Sequence, residues 1–397
     1  MVDDAERYMR MALNLAKRGI GSVEPNPAVG AVITKANQII GRGWHRKFGG
    51  PHAEINALED CQSLGVSPRG ATMYVTLEPC SHHGKTGPCT QAIIDAGLAK
   101  VFIAAEDPSE HANGKGIDRL RSAGIEVQTG ICENEAKLLN APFMKFASTG
   151  KSWVVLKWAQ TIDGKVASVD KGAGNRWISN ETSRRDSHKL RRRSQAILVG
   201  INTIIADNPR LTARPNKGKT PIRIVLDSFL RIPRDCKLLK TAGKAPVIIL
   251  ASEQSVRDNP HLAKQIADTG AELLIYPDTH GKSNLYFLLE ELGRRCVTQL
   301  LVEGGPTVLT SFLAENLADE IHVYIAPKIL GSRGSARIAG PMDRLKRALG
   351  LHYVNIKPFG DDIRLTGLTD KAMRELSVST EQPNVETEAE IITHSPA

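Results

Sequence analysis

Short apolar runs alternate with amphipathic stretches along almost the whole chain, and this alternation limits the fold more than any other feature. In the first part, strands are predicted at Val29–Thr34, Gln38–Gly43, Thr72–Thr76, Lys100–Ala105 and Ile125–Thr129. Lys35-Ala36-Asn37 reads as a hairpin turn. A helix is predicted over 3–18, where Ala5, Tyr8, Met9, Ala12, Leu15 and Ala16 recur at spacings of three and four. Others are predicted over 53–65, 89–96, 113–123 and 133–146. This β-α-β order argues for a layered α/β domain over residues 1–147.

The polar stretch Ala147-Ser148-Thr149-Gly150 marks a boundary. A second strand series follows at Val154–Lys157, Ala196–Val199, Ile222–Asp227, Val247–Ala251, Glu272–Tyr276, Leu300–Val302, Ile321–Ile325 and Ile363–Thr366. Helical stretches lie between most of them, notably Glu181–Arg192 with Ser179 as its N-cap. Residues 148–369 therefore read as a second α/β domain. At about 150 residues per domain, a chain of 397 has room for both. Residues 370–397, acid-leaning with Glu381, Glu386, Glu388 and Glu390, read as a disordered polar tail.

Hydrophobic residues make up 41% and charged residues 24%, which excludes wholesale disorder. No apolar run approaches the roughly 18 residues of a membrane span. The start, Met1-Val2-Asp3-Asp4-Ala5-Glu6, lacks the apolar core of a secretory signal, so a cytoplasmic protein is expected. Six cysteines are too sparse for a disulfide scaffold and suit free thiols or a metal site. The formal net charge of +9 fits anionic partners, either nucleic acid or phosphorylated small molecules, without choosing between them.

The strongest chemical signal is His52-Ala53-Glu54, followed by Pro79-Cys80 and Pro88-Cys89. One imidazole and two thiolates make a three-ligand zinc shell with a fourth position left for water, which zinc activates near neutral pH. Two thiolates also balance the charge of the cation. Pro88 is expected to open a helix with Cys89 just inside it, where the positive helix end favours a thiolate. Glu54 is the natural proton carrier from water to a ring nitrogen and a departing amine. Residues two apart do not share a helix face, so His52 and Glu54 can converge only at a helix start, which Pro51 makes plausible. A closed, purely structural zinc site is the alternative, with His82 or His83 as a fourth ligand.

This arrangement resembles the zinc nucleobase and nucleoside deaminases, whose signature is H-x-E followed by P-C-x-x-C. Here eight residues separate Cys80 from Cys89. That spacing resembles the pyrimidine deaminase domain of the bifunctional riboflavin biosynthesis enzymes, in which the insertion forms part of the substrate site. Pro25-Asn26-Pro27-Ala28-Val29-Gly30 and Thr76-Leu77-Glu78-Pro79-Cys80 match the same family. The resemblance implies a cytidine-deaminase-like α/β/α layering and places Asn26 against the pyrimidine edge. His82, His83 and Lys85 either hold a substrate phosphate or form a solvated loop.

The second half says less by itself. Leu300-Leu301-Val302-Glu303-Gly304-Gly305-Pro306-Thr307 is a strand, a glycine pair and a helix start, suited to a pyrophosphate or to a plain turn. The basic run from Ser183 to Arg193 reads as a phosphate grip, a nucleic-acid grip or a solvated helix face. In order, however, Trp153–Gly164, Asn175–Ser179, Ala206–Arg214 and Val302–Gly305 resemble the reductase half of the same enzymes, which has a dihydrofolate-reductase-like fold and uses NADPH. By that likeness NADPH meets Ala159, Trp177, Thr203, Asp207, Ser228, Gly305, Pro306, Thr307, Val308, Leu309, Thr310 and Ser311. The ribose phosphate substrate meets Asn175, Arg191, Leu211, Arg214 and Glu303, with Arg191 and Arg214 as forked phosphate donors. Lys157, Asp207 and Glu303 are candidate proton donors.

The resemblance therefore implies a homo-oligomer with zinc and NADPH that deaminates a phosphorylated pyrimidine and then reduces its ribosyl chain, without nucleic acid or membrane as partner. The competing reading is a nucleic-acid base deaminase whose basic C-terminal domain grips the polymer; an aromatic content of 5% leaves it few stacking platforms.

Overall fold

A computed structural model describes residues 4–81, 87–110, 112–168, 177–214, 220–277, 284–331, 334–335 and 348–378. The first half runs α1 (Asp4–Ala16), β1 (Gly30–Lys35), β2 (Gln38–Trp44), α2 (Ala53–Ser63), β3 (Thr72–Val75), α3 (Cys89–Asp95), β4 (Lys100–Ile103), α4 (Lys115–Ser122), β5 (Glu126–Thr129), α5 (Glu133–Leu139) and α6 (Ala141–Thr149). Its five-stranded sheet has the order β2-β1-β3-β4-β5, with β3, β4 and β5 parallel. The β1–β2 hairpin closes through Ala36 and Asn37, both at positive φ, as a two-residue primed turn requires.

Glycines bring the helices down onto this sheet. A Cβ on Gly43 would lie 2.2 Å from the Ala53 carbonyl oxygen of α2, and one on Gly30 would lie 2.0 Å from the Ala12 carbonyl oxygen of α1. Gly43 pairs with Ala31, the neighbour of Gly30, and successive strand residues face opposite sides. The helices α1 and α2 therefore cover opposite faces, giving the three expected layers.

The second half continues with β6 (Trp153–Thr161), β7 (Ala167–Ser168), α7 (Glu181–Arg193), β8 (Ala196–Gly200), α8 (Ile201–Asp207), β9 (Ile222–Leu226), β10 (Val247–Ser252), α9 (Glu253–Asp258), α10 (Pro260–Ala267) and β11 (Glu272–Tyr276). Then come α11 (Asn284–Arg294), β12 (Gln299–Val302), α12 (Pro306–Ala314), β13 (Glu320–Ala326), β14 (Gly334–Ser335), β15 (Leu351–Phe359), β16 (Asp362–Thr369) and α13 (Asp370–Leu376). A nine-stranded sheet has the order β11-β10-β9-β8-β12-β6-β13-β16-β15. It is parallel as far as β13 and antiparallel beyond. Alternate residues of the central strands feed two separate cores, Val155, Ile197, Val225 and Leu301 on one face and Val154, Leu198, Ile224 and Leu300 on the other. Burial on both faces is why these strands read as continuous apolar runs.

Several boundaries differ from expectation. The helix predicted over 133–146 is two helices, broken at Asn140, whose side chain accepts from Ala28 N (2.8 Å) and donates to Ala28 O (2.9 Å). Helix α6 runs on to Thr149 through the polar stretch, with the Ser148 and Thr149 hydroxyls donating to the Met144 and Lys145 carbonyls, and Gly150 ends it at φ 68°. Asn180, not Ser179, caps α7 by accepting from Ser183 N. The edge strand β15 lies outside the expected strand series, since its mostly exposed residues give no continuous apolar run like those of the buried strands.

The tail is also corrected at its start. Residues Asp370–Leu376 form a helix capped by the Thr369 side chain, with Ala372, Met373 and Leu376 buried. Averaging this short segment with the acidic residues behind it hid its apolar face. The helix closes a buried cluster at the junction of the two halves. Lys145 of α6, with its side chain 2% exposed, meets Asp319 at 2.6 Å and Glu375 at 3.3 Å, while Lys371 meets Asp319 at 2.8 Å.

Candidate active sites

The first site forms where two helices begin beside the end of β3. His52 has extended backbone (φ −73°, ψ 169°) and is the N-cap of α2, so it stands outside the helical spiral while Glu54 lies in the first turn. This resolves the spacing problem, because the cap residue and the second helical residue can point to one place. The Asn56 amide fixes the entry by donating to the carbonyls of Trp44, Pro51 and His52 at 3.0–3.1 Å. Cys89 is the first residue of α3; Pro88 is its extended N-cap, one position earlier than expected.

The His52 Nδ1 atom lies 3.6 Å from Cys80 Sγ and 3.3 Å from Cys89 Sγ, and the three ligand atoms all lie within 4.8 Å of one another. A tetrahedral zinc about 2.0–2.1 Å from nitrogen and about 2.3 Å from sulfur holds such atoms about 3.6 Å apart, so this donor set fits the ion. The two thiols share one proton between them: their hydrogen bond draws Cys80 below the ordinary thiol range, helped by His52 and by the Cys89 backbone N–H at 3.3 Å, and pushes Cys89 above it. Glu54 is 3% exposed, and burial raises its pKa, as suits a group that must take up and release a proton. His45, which the sequence did not single out, packs its ring edge-on to His52 at 5.2 Å and is held by the Pro51 carbonyl. Asn26 lines a cavity of about 320 Å³ at the junction of the two halves, beside Trp153, Arg193 and Glu320. His82, His83 and Lys85 lie outside the described residues.

The second site is a cavity of about 490 Å³ at the carboxyl ends of β8 and β12, beside Lys157 in the middle of β6. Its walls include Lys157, Trp177, Arg191, Thr203, Asp207, Leu211, Arg214 and Glu303, eight of the residues expected in this half. Gly305 adjoins it, since a Cβ there would stand 3.6 Å from Thr203 Oγ1. Gly305 caps α12, with Pro306 at its start, Thr307 exposed and Val308 packed under Gly200 and Gly304. Leu309 points into the hydrophobic core, Thr310 is buried, and the Ser311 hydroxyl donates to the Thr307 carbonyl. Ala159 faces Tyr324 across the sheet, and the Ser228 carbonyl accepts from Ser252. Asn175 lies outside the described residues.

The basic run proves to be divided by helical periodicity. Arg184, His188 and Arg191 share the flank of α7 that faces the cavity, while Arg185 pairs with Glu181 in solvent. Reading the run at spacings of three and four would have found His188. The fork of Arg191 is already taken by Glu303, with Nε to Oε1 at 2.8 Å and Nη2 to Oε2 at 2.6 Å, and its Nη1 reaches the Thr212 carbonyl. Arg191 thus orients the Glu303 carboxylate and the 211–214 loop.

Burial alone would raise the Glu303 pKa, but the charges of Arg191 and Lys157 outweigh it and bring it from 4.5 to about 2. A carboxylate depressed on folding stabilises the fold above its unfolded pKa and loses that contribution as pH falls toward the folded value. Arg191→Met is therefore expected to lower the urea midpoint at pH 7, with the gap from the parent protein narrowing between about pH 4.5 and pH 2. A gap independent of pH would show that the pair carries no such linkage.

A deaminase-type metal site on one α/β unit and a cofactor-sized cleft on a second, mostly parallel unit define a two-domain deaminase–reductase. The family model for the cytidine and deoxycytidylate deaminase zinc-binding region matches residues 2–105, and that for the RibD C-terminal domain matches 152–365. The chain belongs to the RibD family of riboflavin biosynthesis proteins. It is 42% identical to the riboflavin biosynthesis protein RibD of Aquifex aeolicus, over 90% of this chain and 96% of that one. To the Escherichia coli RibD it is 37% identical, over 91% and 98%. Among solved structures, an Acinetobacter baumannii RibD superposes with a TM-score of 0.80 at 36% identity, covering 92% of this chain and 99% of that one. A diaminohydroxyphosphoribosylaminopyrimidine deaminase/5-amino-6-(5-phosphoribosylamino)uracil reductase from Thermotoga maritima gives 0.78 at 34%, with the same coverage. The protein is thus a bifunctional enzyme of riboflavin biosynthesis, a zinc deaminase joined to an NADPH-dependent reductase. Its second half is the reductase domain of that family.

Proposed function

We propose that residues 1–147 hydrolyse the amine of 2,5-diamino-6-(5-phosphoribosylamino)pyrimidin-4-one to give 5-amino-6-(5-phosphoribosylamino)uracil, and that residues 148–369 reduce the ribosyl chain of that product to ribityl. The observation that carries the first step is the convergence of His52, Cys80 and Cys89 beside buried Glu54. When bound, zinc supplies an activated water at neutral pH. His52 and the two cysteines would hold it, Glu54 would carry the proton to the ring nitrogen and then to the leaving ammonia, and Asn26 would orient the pyrimidine.

In the second cavity, exposed Trp177 offers a face at the entrance, stacked under Arg184 at 4.9 Å. Thr203, Asp207, Ala159, Ser228 and the start of α12 from Gly305 to Ser311 would position NADPH. Asn175, Leu211 and Arg214 would hold the ribose phosphate, with Arg191 keeping Glu303 ionised and aimed at it. The cofactor carries the hydride, so the chain's task there is orientation. We further place the enzyme in the cytoplasm as a homo-oligomer that acts on a free small molecule and not on nucleic acid. No helix among the described residues is long and apolar enough to cross a membrane. Val354, Ile356 and Ile363 give the edge of the second sheet an exposed apolar face that a second copy could cover.

The test is turnover before and after chelation. Metal-stripped enzyme should release no ammonia from the diamino substrate and oxidise no NADPH with it, yet oxidise NADPH normally when given the deaminated compound. Undiminished ammonia release without metal would overturn the first assignment. NADPH oxidation uncoupled from ammonia release would overturn the order of steps.

A further inference from the structure

Eight residues separate the two cysteines of the metal site, and a segment of that length does not fix two thiolates at coordinating distance as the turn of a C-x-x-C motif does. The helix α4, which carries no metal ligand, reaches both ends of that segment. Arg119 donates through Nη1 to the Ser81 carbonyl at 3.3 Å and through Nη2 to Gln91 Oε1 at 2.6 Å. Ser81 follows Cys80 directly, and Gln91 lies in the first turn of α3 behind Cys89.

At the start of the same helix, Glu78 is 4% exposed and accepts from three backbone N–H groups, Asp107 at 3.2 Å, Gly114 at 3.0 Å and Gly116 at 2.8 Å. The contact is close enough to demand glycine, for a Cβ at 116 would stand 2.2 Å from the Pro79 carbonyl oxygen. The chain is thus gripped just before Cys80, just after it, and just after Cys89, all from one helix.

We propose that Glu78 and Arg119 are positioning residues for the metal, setting the separation of the two thiolates across the long insertion. This rests on the zinc deaminase reading above and goes beyond it by assigning the role of α4. Outer partners of metal ligands typically alter metal affinity about ten- to a hundredfold when removed. In full-length protein, Arg119→Ala and Gln91→Ala are each expected to weaken zinc, measured by competition with a chromogenic chelator, by about that factor. Both should shift the thiolate-to-metal absorption band of the cobalt-loaded protein. Arg119→Lys, with a single ammonium that reaches one end only, should recover part of the affinity. NADPH oxidation with the deaminated substrate should stay at the parent rate throughout, reporting an intact second domain.

A role in general stability would lower the thermal midpoint without moving the cobalt band, and that result would overturn the proposal. So would parental zinc affinity in both alanine variants while Cys80→Ser loses the metal; the deaminase reading would then survive. Parental metal binding in Cys80→Ser itself would overturn that reading, and the clasp with it. If Arg119→Ala does not fold, Gln91→Ala, a change on a half-buried helix face, decides the matter alone.

Discussion

Replacing Glu54 with Gln should reduce ammonia release about a hundred- to ten-thousandfold, the range set by loss of a positioned proton carrier. The amide has the shape of the carboxyl but cannot shuttle a proton. Because the residue is 3% exposed and burial already disfavours its charged form, the fold should not be weakened by the change. Zinc content should stay stoichiometric, and reduction of the deaminated substrate should proceed at the parent rate. Normal ammonia release from a zinc-replete Glu54→Gln enzyme would remove this carboxyl from the mechanism.

The second large effect is on stability and lies far from either site. Asp319 has a fully buried side chain and accepts from Lys145, Lys371 and the Val154 backbone N–H at 2.6–2.8 Å. Asp319→Ala leaves a buried ammonium on α6 with only Glu375 beside it, and loss of one partner from a buried ion pair costs about 3–5 kcal/mol. Denaturant unfolding should show that loss, and both activities should decline together on warming, since the cluster lies between the halves. A change below about 1 kcal/mol would place the cluster among pairs that solvent screens.

Much of the metal site was legible because its chemistry is local. His52 and Glu54 are two residues apart, each cysteine follows a proline, and the helix start that lets them converge is itself signalled by Pro51. The strands were legible for a similar reason, since a sheet covered on both faces leaves unbroken apolar runs. What stayed hidden depends on distant partners. Nothing near Arg191 in the chain announces its partner Glu303, more than a hundred residues later. Asn140 looks like mid-helix until Ala28 claims its amide. Helix α13 looks like the start of an acidic tail until Lys145 and Asp319 give Lys371 and Glu375 a reason to be buried. The edge strand β15 has no inward face rich enough to stand out, and only its pairing with β16 makes it a strand.

The junction cluster has a consequence for how the protein is made. Lys145 lies near the end of the first half, yet the carboxylates that neutralise it are Asp319 and Glu375, translated long afterwards. While the ribosome is still at work, α6 carries an ammonium whose counter-charges do not yet exist, so the leading half emerges with one flank unfinished. Completion of that flank waits until both carboxylates have been made and folded back, and a gene cut between the two catalytic units would leave the same flank permanently bare.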